Sequence, residues 1–303
     1  VGVLARRVED IALGLEIING GRNPAVEPPM PLGDPEGVDV ARLRVGYYID
    51  DGTFKVAPAV RRAVLEAVEI IRGSGAQVSE WAPPDARLGQ DIFFRALGAD
   101  GGRGIRQYAG RDKRDPRIAA LELFARRSRP TLRTLEGLLK LLGQLSLADQ
   151  LRNFGYKHTH DYWQLIETQM DYQQRFQEAL DRAEGGPLDV LLCPAASLPA
   201  WTHGAARELA TAGAYANLYN TLGYPTGVVQ FARVRPDEEV GRQPSRDIVE
   251  ETARKVEQGS AGLPIGVQVV ARPWREHVAL AVMRVIERAA STRDDYPGIA
   301  LLG

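Results

Sequence analysis

Cysteine is almost missing from this sequence: Cys193 is the only one among 303 residues. An internal disulfide and any cysteine-rich metal site are thereby excluded, while the redox compartment stays open. Basic excess is missing too, with 38 Lys and Arg against 39 Asp and Glu and a formal charge of −1. A nucleic-acid partner is therefore not expected, since such surfaces carry net positive charge. Lysine is scarce at five residues, so arginine supplies most of the positive charge, a skew that reflects coding-base composition. No apolar run approaches the ~20 residues a spanning helix needs. The chain opens on Val1 and not on Met, which leads us to expect a natural N-terminus further upstream.

What is present is ordinary globular composition, 44% hydrophobic and 25% charged. Leu4, Val8, Ile11, Leu15 and Ile18 recur at helical spacing and Asn19-Gly20-Gly21 stops them. Residues 22–42, rich in Pro and Gly, read as a surface connection. Leu43 to Ile49 predicts a strand ended by Asp50-Asp51-Gly52. Pro58 opens a helix with Val60, Val64, Val68 and Ile71 as its buried stripe, and Gln77 to Trp81 predicts a second strand. Strand, helix, strand is a crossover unit and implies parallel pairing. The middle, 87–185, reads as helical. Asp189 to Cys193, Gly227 to Val234 and Leu263 to Ala271 are short β-branched runs suited to strands buried on both faces. Glu276 to Ala290 predicts a last helix with Val278, Val282, Val285 and Ala289 along one side. We read one continuous α/β domain over 1–303.

Reactive chemistry is sparse. His158 and His160 lack surrounding ligands other than Asp161 and read as a solvated helix face. Asp237-Glu238-Glu239 reads as a charged loop. Cys193 ends an apolar strand and reads as an inert buried thiol. Ser197 lacks the Gly-x-Ser-x-Gly turn that exposes a hydrolase serine. Gly101-Gly102-Arg103-Gly104 follows helical sequence where a phosphate-cradling loop would follow a strand. These residues alone lead no further than a large α/β protein.

Four blocks carry a family resemblance. Val1 to Asp10 is the first; Val45-Gly46-Tyr47-Tyr48 with Pro58 to Val64 is the second. Tyr215 to Val229 is the third, and Gly262 to Gln268 with Pro273-Trp274 the fourth. Together, in this order, they resemble the amidase-signature hydrolases, in particular their fatty-acid amide hydrolase branch. The resemblance implies an amidase-signature fold, a mixed twisted β-sheet covered by helices, with its N-terminal part missing from this chain. It also implies hydrolysis of a carboxamide by a Ser nucleophile, a bridging Ser and a Lys base, with no metal and no cofactor. That machinery belongs to a Gly/Ser-rich run and an earlier strand upstream of the first block; the run is absent here. No catalytic residue is therefore assigned, and the chain alone is expected to be inactive.

What the resemblance leaves to this portion is the substrate channel. By local matching it places Phe94, Leu97, Leu151, Phe154, Gly213, Asn217 and Val249 along an acyl channel, Val249 standing where the branch has an aromatic. Core packing is the alternative for each. The segment 132–151 holds nine leucines, interrupted by Arg133, Glu136, Lys140 and Asp149. Leu135, Leu138, Leu139, Leu142 and Leu145 read as one apolar face, and by position 129–156 resembles the cap with which the branch approaches lipid. Packing on the domain, or on a second subunit in a homodimer, is the alternative. The expected partner is a small-molecule amide with a hydrophobic acyl group, and the expected location is cytoplasmic or peripheral to a membrane. Three alternatives remain: an amidase for small or aryl amides, an amidotransferase subunit, and a catalytically dead binding or scaffold module.

Overall fold

The computed structural model describes residues 2–20, 31–110 and 122–298. Residues 22–30 of the expected surface connection lie outside the described residues. Helix α1 (Val8–Gly20) starts where the Glu287 carboxylate accepts hydrogen bonds from the Val8 backbone N–H, at 3.2 and 3.4 Å. A carboxylate at a helix N-terminus both meets an orphan donor and suits the helix dipole. Val8, Ile11 and Leu15 of the expected stripe pack on the core together with Ala12, whereas Leu4, which precedes the helix, and Ile18 are exposed.

Strand β1 (Arg44–Tyr47), helix α2 (Pro58–Gly73) and strand β2 (Gln77–Glu80) form the expected crossover, with β1 and β2 parallel in register Val45 to Val78. The turn after β1 is closed by Asp50 and Asp51, whose carboxylates accept from the N–H of Gly52 at 2.8 Å and of Thr53 at 2.9 Å. Side chains of this kind bond their own backbone two residues on and end a strand. Helices α3 (Ala86–Leu97), α4 (Arg103–Ala109), α5 (Arg129–Leu141), α6 (Leu145–Leu151) and α7 (Thr159–Asp181) follow. Then come β3 (Val190–Pro194), α8 (Ala214–Leu222), β4 (Thr226–Arg233), α9 (Ile248–Glu257), β5 (Pro264–Ala271) and α10 (Glu276–Ala290).

The sheet order is β2-β1-β3-β5-β4, with β3 parallel to β1 and β5 antiparallel to both β3 and β4. Side chains of a strand alternate between faces, and β3 feeds a separate core with each set. Val190 and Leu192 join Val45, Val267 and Val269 beneath α2 and α10. Leu191 and Cys193 join Val270 on the other face, under α3, α7 and α8. There Phe176 sits edge-on to Trp81, Tyr172, Tyr219 and Tyr224 at centroid distances of 5.4, 6.2, 6.3 and 5.6 Å. Gly46 is required on this face, because an added Cβ would lie 2.7 Å from Leu188 Cδ1 and 2.8 Å from Leu191 Cδ2.

Full burial on both faces holds for β3 but not for β4. Thr226 and Val228 are exposed because β4 is the last strand of the sheet. The stripe of α10 is also displaced: Val278, Ala279, Val282, Met283 and Ile286 are buried, while Val285 and Ala289 lie at its margin. An ion cluster ties α2 to the turn after β4 and to the C-terminal segment. Arg62 reaches Glu238 at 2.5 Å, Glu66 at 3.2 Å and Asp295 at 3.4 Å, and Arg293 reaches Glu66 at 2.6 Å.

Candidate functional site: an apolar cavity under a helical hairpin

The Leu-rich segment folds into the hairpin α5–α6. Pro130 sits in the first turn of α5, where its missing N–H costs nothing. Gly143, at φ +74°, makes the turn between the helices, a conformation that side-chain-bearing residues rarely adopt. The hairpin is then fastened at its second start. One Asp247 carboxylate oxygen accepts from Ser146 N at 2.8 Å, and the other accepts from Val249 N at 2.9 Å and Glu250 N at 3.4 Å. A single side chain thus satisfies orphan donors of both α6 and α9. Gln144 adds a two-way link, donating to Arg246 O at 2.8 Å and accepting from Ile248 N at 2.9 Å. Gln150 donates to Glu208 O at 2.9 Å.

Held in this way, the hairpin roofs a cavity of about 370 Å3 lined by Phe124, Leu135, Leu139, Leu147, Gln150, Leu151, Phe154, Arg207, Glu208 and Ile248. Seven of these are Leu, Ile or Phe, and the polar ones sit together: Arg207 pairs with Glu208 at 2.5 Å. A space of this size and composition suits an apolar chain or ring. The leucines do not form one face. Leu135 and Leu139 point into the cavity and Leu132 is buried, whereas Leu138, Leu142 and Leu145 are exposed, with Leu141 87% exposed.

Of the residues that the resemblance places along an acyl channel, Leu151 and Phe154 line this cavity. Val249 does not. It is fully buried in the core beneath α2 and α10, and its neighbour Ile248 faces the cavity instead. Phe94 lies on α3 against Phe93, ring centroids 5.4 Å apart, and Leu97 ends that helix 70% exposed. Gly213 precedes α8 with open space where a Cβ would be, and half-buried Asn217 accepts from Thr221 Oγ1 through its backbone carbonyl at 3.1 Å. These four are not part of the cavity lining. Phe124, Leu147, Arg207, Glu208 and Ile248 are cavity residues that sequence reading missed. Only the spacing of Leu147 with Leu151, one helical turn apart, carried a signal.

The potential nucleophiles are engaged elsewhere. Cys193 is buried against Gln268 Nε2 at 3.2 Å and the Tyr219 hydroxyl at 3.9 Å, and burial pushes its thiol up to about 11. Ser197, also buried, donates to Ala212 O at 2.9 Å. His158 and His160 are exposed at the start of α7, and among the described residues no cluster of His, Cys, Asp or Glu could hold a metal. Glu238 is held below the usual carboxylate range by Arg62, against the opposing effect of its burial, so the Asp237–Glu239 turn serves as an ion-pair anchor.

If Asp247 is what docks the hairpin, Asp247→Ala should lower the stability seen in urea unfolding by about 1–2 kcal/mol. Limited proteolysis should then open first within 129–151. Unchanged cleavage there would mean that leucine packing and the Gln144 and Gln150 bonds dock the hairpin without it.

An amidase family model matches residues 1–280. Fatty acid amide hydrolase 1 of Caenorhabditis elegans is 33% identical over 256 residues, 82% of this chain and 43% of that protein. Fatty-acid amide hydrolase 1 of Sus scrofa is 30% identical over 299 residues, 95% of this chain and 50% of that protein. The chain therefore spans about half the length of these curated relatives. A solved fatty acid amide hydrolase structure superposes with a TM-score of 0.72 at 21% identity, covering 94% of this chain and 47% of that one. A 6-aminohexanoate cyclic dimer hydrolase superposes at 0.60 and 17% identity, covering 94% of this chain and 54% of that one. Sequence match and mixed sheet agree: the chain belongs to the amidase-signature family.

Proposed function

We propose that this chain is the acyl-binding, C-terminal portion of a fatty-acid amide hydrolase-like enzyme that cleaves a carboxamide with a hydrophobic acyl group. The observation that carries this reading is the Leu/Phe cavity beneath the hairpin, seated in a chain whose relatives are named for fatty-acid amides. Its dimensions accommodate part of an acyl chain, and Leu151 and Phe154 contribute to it. This reading assigns the family's Ser-Ser-Lys machinery to a segment other than this one; in support, Cys193 is hydrogen-bonded to Gln268 and Ser197 to the Ala212 carbonyl. On this reading the chain binds the substrate's tail and does not itself cut the amide.

A binding experiment tests this. A fluorescent long-chain fatty amide should bind the chain and be recovered intact, and Leu139→Arg should weaken binding roughly tenfold or more by placing a charge in the cavity. Stronger binding of benzamide than of the long-chain amide would favour a small-amide enzyme. Release of free fatty acid would reveal a nucleophile within these residues.

The hairpin's outer leucines extend the proposal to 129–156 as a cap that touches lipid. No described helix is long and apolar enough to cross a membrane, but Leu138, Leu141, Leu142 and Leu145 offer an exposed apolar tip. Burying one leucine is worth roughly 1.5–3 kcal/mol. Replacing Leu138 and Leu142 together by Ser should sharply reduce liposome co-sedimentation and leave the melting temperature nearly unchanged, because both side chains are mostly exposed. Loss of a dimer on gel filtration, without any liposome binding by the parent, would assign the tip to a second subunit instead.

A further inference from the structure

Three cations lie near one another just beyond Phe154. Arg95 lies in the last turn of α3, Arg129 in the first turn of α5, and Lys157 in the segment leading to α7. The segment is tied to the end of α3 by the Lys157 N–H, which donates to Ala99 O at 3.1 Å. Gly155, at φ +111°, brings the other two together. Its ideal Cβ position lies 3.4 Å from Arg129 Cδ, and its carbonyl accepts from Lys157 Nζ at 3.4 Å. Arg129 also donates to Phe154 O at 3.4 Å, so its guanidinium rests on the backbone of a cavity residue.

Several other cations of this protein are paired with carboxylates. Arg152 bonds Asp91, Arg62 bonds Glu238 and Arg207 bonds Glu208. Among the described residues, Arg95, Arg129 and Lys157 form no salt bridge. Repulsion shows in the acidities of Lys157 and Arg129. Lys157 is lowered to about 8, first by burial and then by Arg95 and Arg129, with Asp161 of α7 opposing weakly. Arg129 is lowered too, first by burial and then by Arg95 and Arg133, with Glu136 opposing. Clustering like charges without counter-ions is unfavourable unless an anion relieves it.

We infer that Arg95, Arg129 and Lys157 form an anion-binding site at the Phe154 end of the apolar cavity, and that it takes the carboxylate of a long-chain fatty acid whose tail enters the cavity. This rests on reading the cavity as an acyl site and adds a headgroup to it: the protein recognises the acid as well as the neutral amide. A carboxylate between a guanidinium fork and an ammonium gains charge-assisted hydrogen bonds that a neutral amide or alcohol cannot make. A lipid phosphate offers the same chemistry, which the experiment separates.

The test compares a long-chain fatty acid with the alcohol of equal length, each displacing a fluorescent fatty amide from the chain. At pH about 7 the acid should bind roughly tenfold more tightly than the alcohol. Raising the pH to about 9.5 should shrink that preference as Lys157 loses its proton near 8. Lys157→Gln should lower the preference at pH about 7 and remove its pH dependence. Arg95→Gln should lower the preference while keeping the pH dependence. Arg129 is left intact, because it also holds the 152–155 backbone. Equal binding of acid and alcohol overturns the anion site and leaves the acyl cavity standing, whereas failure of both to bind overturns both. If the two variants weaken binding to phosphatidylglycerol vesicles but leave the preference for the monomeric acid unchanged, the cations serve a lipid phosphate and the inference fails.

Discussion

A single carboxylate starts two helices at right places in the sequence, more than ninety residues apart. Asp247 caps α9 from its own N-cap position and, through its other oxygen, accepts from Ser146 at the start of α6. The cavity depends on that shared cap. Without it α6 would lose the bond from Ser146 and keep only the Gln144 link to the 246–248 backbone, which weakens the partner against which Leu135 and Leu139 of α5 line the cavity. The same cap fixes the phase of α9. It turns Val249 into the core and Ile248 towards the cavity, so a single residue of register separates a packing role from a lining role.

Beneath the hairpin, β3 gives the frame its rigidity. Buried on both faces and paired with β1 on one side and β5 on the other, it belongs to two cores at once. Side chains that could have been reactive are consumed by that packing. Cys193 faces the tyrosine-rich core, and Ser197, just past the strand, returns its hydroxyl to the backbone. The chemistry left available to ligands is therefore at the periphery: an apolar cavity, and near it three cations that form no salt bridge among the described residues.

The frame was largely legible in the sequence and the cavity was not, for a physical reason. The β-branched runs at 189–193, 227–234 and 263–271 announce strands because their composition alone selects that conformation. Whether a strand is central or at an edge depends on its neighbours, which is why burial on both faces held for β3 and failed for β4. The helices α8 and α9 carried weak local signals; α8 reads Ala-Tyr-Ala-Asn-Leu-Tyr-Asn-Thr-Leu, with few strong helix formers. The cavity draws on positions 124, 135–154, 207–208 and 248, which only the fold brings together. Leu151 and Phe154, named through the family resemblance, are among the residues that line it. Val249, named by the same matching, packs in the core while its neighbour Ile248 lines the cavity, a difference of phase set by a cap that local matching cannot see.

The most direct test of the acyl cavity is photo-crosslinking with a long-chain fatty amide that carries a diazirine at the far end of its tail, followed by peptide mapping of the adduct. The account predicts adducts within 129–156 and at Ile248, lost when an unlabelled long-chain amide competes. Adducts confined to the neighbourhood of Phe94, Gly213 and Asn217 would place the acyl chain along α3 and α8, and would contradict it.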